Sequence, residues 1–267
     1  MKTLEHYEQY RELIEKGGYA RKQILCKSRF ISWSHTSRFE IGYKLVKARA
    51  GGAFLDYGFG DGTFLALVCN LFERAVGADP EMQQVADCAA RFAKIPNLSF
   101  YSVDGIAGEE HTGRYDVVVC MEVLEHCLPD VADKVLSDLK RLVNPNGTVL
   151  ISVPVEIGPT LVAKQLLRRA AAWRNLGDYK HFERYPWRDF LKMVVANDQT
   201  SIDRPVHFQD NSLRSNPHYT HTGFNWRALK LVVERRFKID QVQFSPAGWS
   251  RGYASSQVWF VCKRLET

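Results

Sequence analysis

The sequence predicts a doubly wound α/β fold built on a mostly parallel sheet. Three observations carry that prediction. Between residues 53 and 154, short apolar runs of strand length alternate with longer segments of helical period. The first of these runs ends in three closely spaced glycines that lead into a helix, the place where doubly wound sheets bind ligands. The alternation breaks after Pro154 and returns near residue 225 as one helix followed by two strands.

Taken in order, residues 1–52 read as a helical cap. A glycine pair at Gly17-Gly18 interrupts it, and Phe39, Tyr43 and Val46 recur at i, i+4 and i+7 on one helix face. Residues 53–153 form the core, with strands expected at 53–57, 75–79, 98–104, 115–120 and 147–154. Helices are expected between them at 62–73, 81–93 and 130–142, with Pro80 and Gly147 as punctuation. Residues 154–224 are an insertion that should cover a substrate. Residues 225–267 complete the sheet with a helix (225–236) and strands at 237–245 and 255–264.

Of the 267 residues, 45% are hydrophobic and 25% charged, which excludes wholesale disorder. No apolar run reaches the 18 or so residues of a membrane span. The charged N-terminus lacks a signal-peptide core, and the six cysteines form no C-x-x-C, so a cytoplasmic chain with reduced thiols is expected. The net charge of +6 divides unevenly. Residues 1–53 carry 11 basic and 5 acidic side chains, residues 54–153 carry 7 and 15, and residues 154–267 carry 18 and 10. Within the insertion, 160–174 has four basic residues and no acidic one. As a helix it groups Val162, Leu166 and Trp173 on one face and points Lys164 and Arg168 away, compatible with an anionic membrane surface or an anionic lipid-linked substrate, or more plainly with a lid packed on its own domain. The stretch 207–226 concentrates polar, aromatic and histidine residues in a loop. No lysine/arginine-dense patch interleaved with aromatics occurs, so nucleic acid is not the expected partner.

The glycine turn FLDYGFGDGTF (54–64) has the spacing G-x-G-x-G at Gly58, Gly60 and Gly62. Thr63 stands where the dinucleotide fingerprint takes glycine or alanine, and no Gly-Lys-Ser/Thr follows, so the turn is not built for phosphates. Asp56 precedes the turn and Asp61 lies in it, where they would repel pyrophosphate and attract an ammonium or sulfonium. Asp79 ends the second strand, placed to accept from ribose hydroxyls, and Asp104 ends the third, placed to accept from an exocyclic amine. The plainer alternative is that these acids cap the following helices.

This arrangement resembles the class I S-adenosylmethionine (SAM) dependent methyltransferases over most of 53–154 and the last two strands. The resemblance implies a seven-stranded sheet of order 3-2-1-4-5-7-6 with an antiparallel last strand. It implies SAM as cofactor, with the LDYGFGDG turn at the methionine and ribose portion, Asp79 on the ribose and Asp104 on the adenine. The backbone of Cys120 and Met121, after strand 4, would lie near the methionine end.

Strand 4 runs into CMEVLEHCLPD (120–130), which has no Asn/Asp-Pro-Pro-Tyr of the kind expected for amino-group methylation. It offers Glu122, Glu125 and His126 instead, expected on one helical turn as a general base for a hydroxyl or as ligands of a divalent ion. The segment MEVLEH resembles the ubiquinone-pathway O-methyltransferases. The Glu-x-x-Glu-His pattern also resembles small-RNA 3′-terminal 2′-O-methyltransferases, which add a later histidine to bind metal. His181 and His221 are the candidates for that histidine, and topology favours His221. Glu122, Glu125, His126 and His221 are therefore the expected acceptor-side residues, with a divalent metal left open. The expected activity is O-methylation of a small-molecule, lipid-linked or saccharide hydroxyl. The alternatives are a metal-dependent RNA 2′-O-methyltransferase and a non-catalytic SAM-binding scaffold.

Overall fold

The computed structural model describes residues 7–25, 29–173, 185–211, 214–250, 252–253 and 255–265. Helices α1 (Tyr7–Glu15) and α2 (Arg29–Lys47) precede the first strand, β1 (Ala53–Tyr57). The core continues through α3 (Thr63–Val68), β2 (Arg74–Asp79), α4 (Met82–Arg91), β3 (Leu98–Ser102), β4 (Tyr115–Met121), α5 (Pro129–Leu142) and β5 (Val143–Pro154). The insertion holds α6 (Thr160–Trp173), α7 (Trp187–Val194) and the strands β6 (Val206–Asn211) and β7 (Arg214–Tyr219). Then α8 (Trp226–Glu234), β8 (Phe237–Pro246) and β9 (Ser255–Arg264) close the chain.

The main sheet runs β3-β2-β1-β4-β5-β9-β8. The five core strands are parallel, and β9 pairs antiparallel with both β5 and β8. With β6 and β7 set aside as a separate hairpin, this is the order the resemblance implies. Both faces of the sheet are covered, which is why its strands read as continuous apolar runs and not as alternations. Along β1, Phe54 packs under the helices α1 to α4, and Leu55 and Tyr57 pack toward α5, α8 and the insertion. The strand ends that follow therefore converge at one edge of a rigid sheet.

Three elements differ from the sequence reading. The helix after the glycine turn stops at Val68 and tightens into a 3₁₀ turn over Cys69–Leu71, because all six residues of α3 are buried and the chain must turn back to start β2. Strand β5 begins at Val143, four residues early, since Val143 pairs with Tyr115 before a register shift. The segment read as a loop contains the β6–β7 hairpin, where Val206 faces Tyr219 and His207 faces His218. Its polar composition and Pro217 hid it, yet a two-stranded ribbon consists only of edges, where proline is tolerated.

Helix α6 forms as expected, with its apolar and basic residues on opposite faces. Lys164 and Arg168 point inward, their nitrogens 2.9 and 2.8 Å from Glu156 Oε1, and Val162, Leu166 and Trp173 are exposed. The cause is Glu156, which follows β5 and is 1% exposed. A buried carboxylate requires pairing, and cations eight and twelve residues on supply it. Burial opposes ionisation of Glu156, but Lys164 and Arg168 outweigh it and hold the carboxyl well below its usual range. The stabilisation is therefore complete above pH 4.5 and is lost as pH falls through the depressed pKa. Glu156→Gln should leave two half-buried cations without their carboxylate and lower stability by about 3 kcal/mol at neutral pH, read from urea midpoints.

Candidate active site

The glycine turn is shaped by what surrounds it. Gly58 sits at φ +80°, and a Cβ there would come within 2.4 Å of Val123 Cγ2, so both conformation and space demand glycine. Gly62, also left-handed at φ +72°, starts α3 against Phe92. A Cβ on Gly60 would meet nothing within 4 Å, so that residue borders open space.

Asp79 reaches from the end of β2 into this turn, accepting from Gly60 N at 3.0 Å and Glu81 N at 2.9 Å. Asp56, near the end of β1, is 1% exposed, and neither oxygen has a hydrogen-bond partner among the described residues. Burial first, and then the charge of Asp79, push its carboxyl up to about 8. A buried acid without a partner beside an open glycine turn fits a cationic ligand, whose charge would relieve that cost. Asp61 instead accepts from Ala20 N and Thr63 N, each at 3.1 Å, and so ties the N-terminal segment to the turn. Asp104 lies two residues beyond β3, exposed at the start of a 3₁₀ turn. Cys120 and Met121 end β4, paired with Ile151 and Ser152 of β5, and the Cys120 thiol is buried in the core.

On the other side of the β4 exit the chain forms a tight turn and not the expected helical turn. Glu122 is the one non-glycine residue at positive φ (+57°) among the described residues. That conformation separates it from Glu125 and His126. Its carboxylate accepts from Ser152 Oγ at 3.1 Å and pairs with Arg38 Nη1 at 3.1 Å. Glu125 is 0% exposed, neither oxygen is hydrogen-bonded among the described residues, and burial, then the charge of Glu122, raise its carboxyl well above the usual range. His126 Nε2 lies 3.8 Å from Glu125 Oε1, and the His126 and His221 rings are 5.1 Å apart. Glu125, His126 and His221 each offer one ligand atom within 4.8 Å of the others, the spacing of a potential metal site. Glu122 is not part of that group, and His181 lies outside the described residues.

The tautomer of His126 follows from its contacts. Its Nδ1 is 2.9 Å from the carbonyl of Tyr219, which can only accept, so Nδ1 carries the hydrogen and Nε2 keeps its lone pair. Burial lowers the pKa of His126 and takes that of His221 to about 4, so both rings are neutral at physiological pH.

Two arginines absent from the sequence reading organise this region. Arg38 of α2 pairs with Glu122 and donates to the hydroxyl of Tyr19, which is also 2.7 Å from His35 Nδ1. Arg204 donates to the carbonyls of Glu125 (2.5 Å), Thr220 (2.7 Å) and Thr222 (3.2 Å), with its guanidinium 4.2 Å over the Tyr219 ring. It thereby ties the loop bearing His221 to the turn bearing Glu125 and His126. Nothing in the spacing marks either residue, because Glu122 lies 84 positions from Arg38 and Arg204 acts on backbone carbonyls. Arg204→Lys should keep the fold but lose the three-way fork, lowering kcat about tenfold with cofactor affinity unchanged in steady-state and titration assays.

A family model described as a methyltransferase domain matches residues 39–198. The ubiquinone biosynthesis O-methyltransferase of Albidiferax ferrireducens is 37% identical over 107 residues, which cover 39% of this chain and 41% of that one. An Escherichia coli O81 protein of the same name is 29% identical over 153 residues, covering 55% and 62%. The chain thus spans less than two thirds of the length of these curated relatives, 41% and 62%. Among solved structures, magnesium protoporphyrin IX methyltransferase from Synechocystis, with bound S-adenosylhomocysteine (SAH), superposes at a TM-score of 0.53 with 14% identity, covering 97% of this chain and 94% of that one. The family match takes in the glycine turn, the strand-end aspartates and the Glu125–His126 turn, and on that ground the chain belongs to the methyltransferase domain family.

Proposed function

We propose that the chain is a SAM-dependent methyltransferase that methylates a hydroxyl of a small-molecule, lipid-linked or saccharide acceptor, with His126 as general base. The observation that carries the acceptor chemistry is the His126 tautomer, a neutral imidazole whose unprotonated Nε2 faces the cluster with Glu125 and His221. The O-methyltransferase relatives support the same reading.

When bound, SAM supplies a methyl group already activated by a sulfonium. What remains for the protein is alignment and removal of the acceptor proton. Asp79 would hold the ribose, Asp104 would accept from the adenine amine, and Asp56 with Gly58, Gly60 and Gly62 would border the methionine end, near the backbone of Cys120 and Met121. His126 takes the hydroxyl proton at Nε2. Glu125, its carboxyl pushed upward by burial, and His221 flank that base, and Glu122 shapes the strand exit through Arg38 and Ser152. In this reading residues 53–153 hold the cofactor, and residues 154–224 cover the acceptor.

The second reading is a metal-dependent RNA 2′-O-methyltransferase, favoured by the 4.8 Å grouping of Glu125, His126 and His221. One assay separates the two: methyl transfer from radiolabelled donor to a panel of phenolic, lipid-linked and saccharide hydroxyls and short RNA, with and without chelator. Chelator-insensitive turnover of a hydroxylated small molecule is expected. Turnover of RNA alone, abolished by chelator, would establish the second reading instead.

A further inference from the structure

The two helices of the insertion carry apolar side chains on the outside. On α6, Val162, Leu166 and Trp173 recur at i, i+4 and i+11 and are exposed, Trp173 to 82%. On α7 and its end, Trp187, Leu191 and Val195 recur at i, i+4 and i+8 and are exposed, Trp187 to 70% and Val195 to 79%. The helices pack on one another, with Phe190 and Met193 turned into the core. Trp249, 86% exposed, sits in the loop that the first turn of α6 grips through Thr160 Oγ1 and the carbonyl of Gly252 (2.5 Å).

A surface helix ordinarily turns such a stripe inward. Here it is held outward, because rotating α6 to bury the stripe would pull Lys164 and Arg168 off the buried Glu156. Exposed apolar residues grouped on one face mark a contact surface. The charges around the stripe say what it contacts. Arg169 falls within the α6 stripe and Arg188 and Lys192 beside the α7 stripe, all exposed. The only acid on either helix is Asp189. Tryptophans and aliphatics interspersed with cations suit the interface of an anionic bilayer.

We infer that α6 and α7 form a docking face for an anionic lipid surface. The face is anchored through Glu156, whose charge acts on His221, so it adjoins the acceptor side of the site. Docking does not depend on the proposed chemistry; only the preference it implies for a lipid-linked acceptor rests on that reading. No helix among the described residues is long and apolar enough to cross a membrane, so contact would be with the surface.

The test is co-sedimentation of the full chain with vesicles of phosphatidylcholine alone or with about 30% phosphatidylglycerol. Salt-sensitive binding to the anionic vesicles is expected, reduced at least about tenfold by Leu166→Glu with Trp173→Glu while SAH titration stays unchanged. Should that pair impair SAH binding through misfolding, Arg188→Glu with Lys192→Glu must give the same loss. Wild-type protein that ignores anionic vesicles, or surface variants that bind them undiminished, would overturn the inference. So would a wild-type dimer that fails to bind vesicles and that the apolar variants dissociate, since the face would then belong to a second copy.

Discussion

Asp79→Ala is expected to weaken SAH binding by at least about a hundredfold, since hydrogen bonds to a charged group contribute about 1.5–3 kcal/mol each. The carboxylate has two duties. It accepts from Gly60 N and Glu81 N, fixing the glycine turn, and it presents the remaining acceptor capacity to the ribose hydroxyls of the proposed cofactor. Alanine removes both and leaves two backbone donors without their acceptor. Asp79→Asn retains one acceptor oxygen and the side-chain volume, so its loss should be intermediate. Calorimetric titration distinguishes the three proteins. An alanine variant that binds as tightly as wild type would remove Asp79 from the cofactor site.

His126→Ala should lower kcat by about 10²–10⁴, the range associated with general-base catalysis, with SAH affinity unchanged. The pH dependence gives a second, independent readout. Burial depresses the pKa of His126 below its usual 6.5, so Nε2 stays unprotonated as pH falls toward that value. The acid limb of kcat/KM should therefore lie below pH 6.5, and it should disappear in the variant's residual activity. Rates that already halve above pH 6.5, or a variant with unchanged kcat, would assign the proton to another group. The split between kcat and cofactor binding also separates His126 from Asp79, whose loss appears in binding.

The contrast between these residues shows what could be read from the chain alone. Asp56, Asp79 and the glycines are legible because they sit at strand ends in a fixed register, where periodicity along the chain maps directly onto space. The sheet order came from the family resemblance that those residues carry. The acceptor side is set by long-range contacts, and there the spacing misled. Glu122 and Glu125 would share a helix face at i, i+3, but the left-handed Glu122 turns its carboxylate to Arg38, 84 positions earlier. Which face of α6 turns inward was not legible, because a helical wheel cannot register the buried Glu156 that follows β5. Arg204 acts on three backbone carbonyls, and no sequence pattern records those. His221 was legible only through topology.

Titration calorimetry of the wild-type chain with SAH tests the central claim most directly, because the glycine turn, Asp56 and Asp79 are all assigned to one ligand. Saturable one-to-one binding in the micromolar range is the predicted result. A folded protein that gives no binding isotherm with either SAH or SAM would contradict the account.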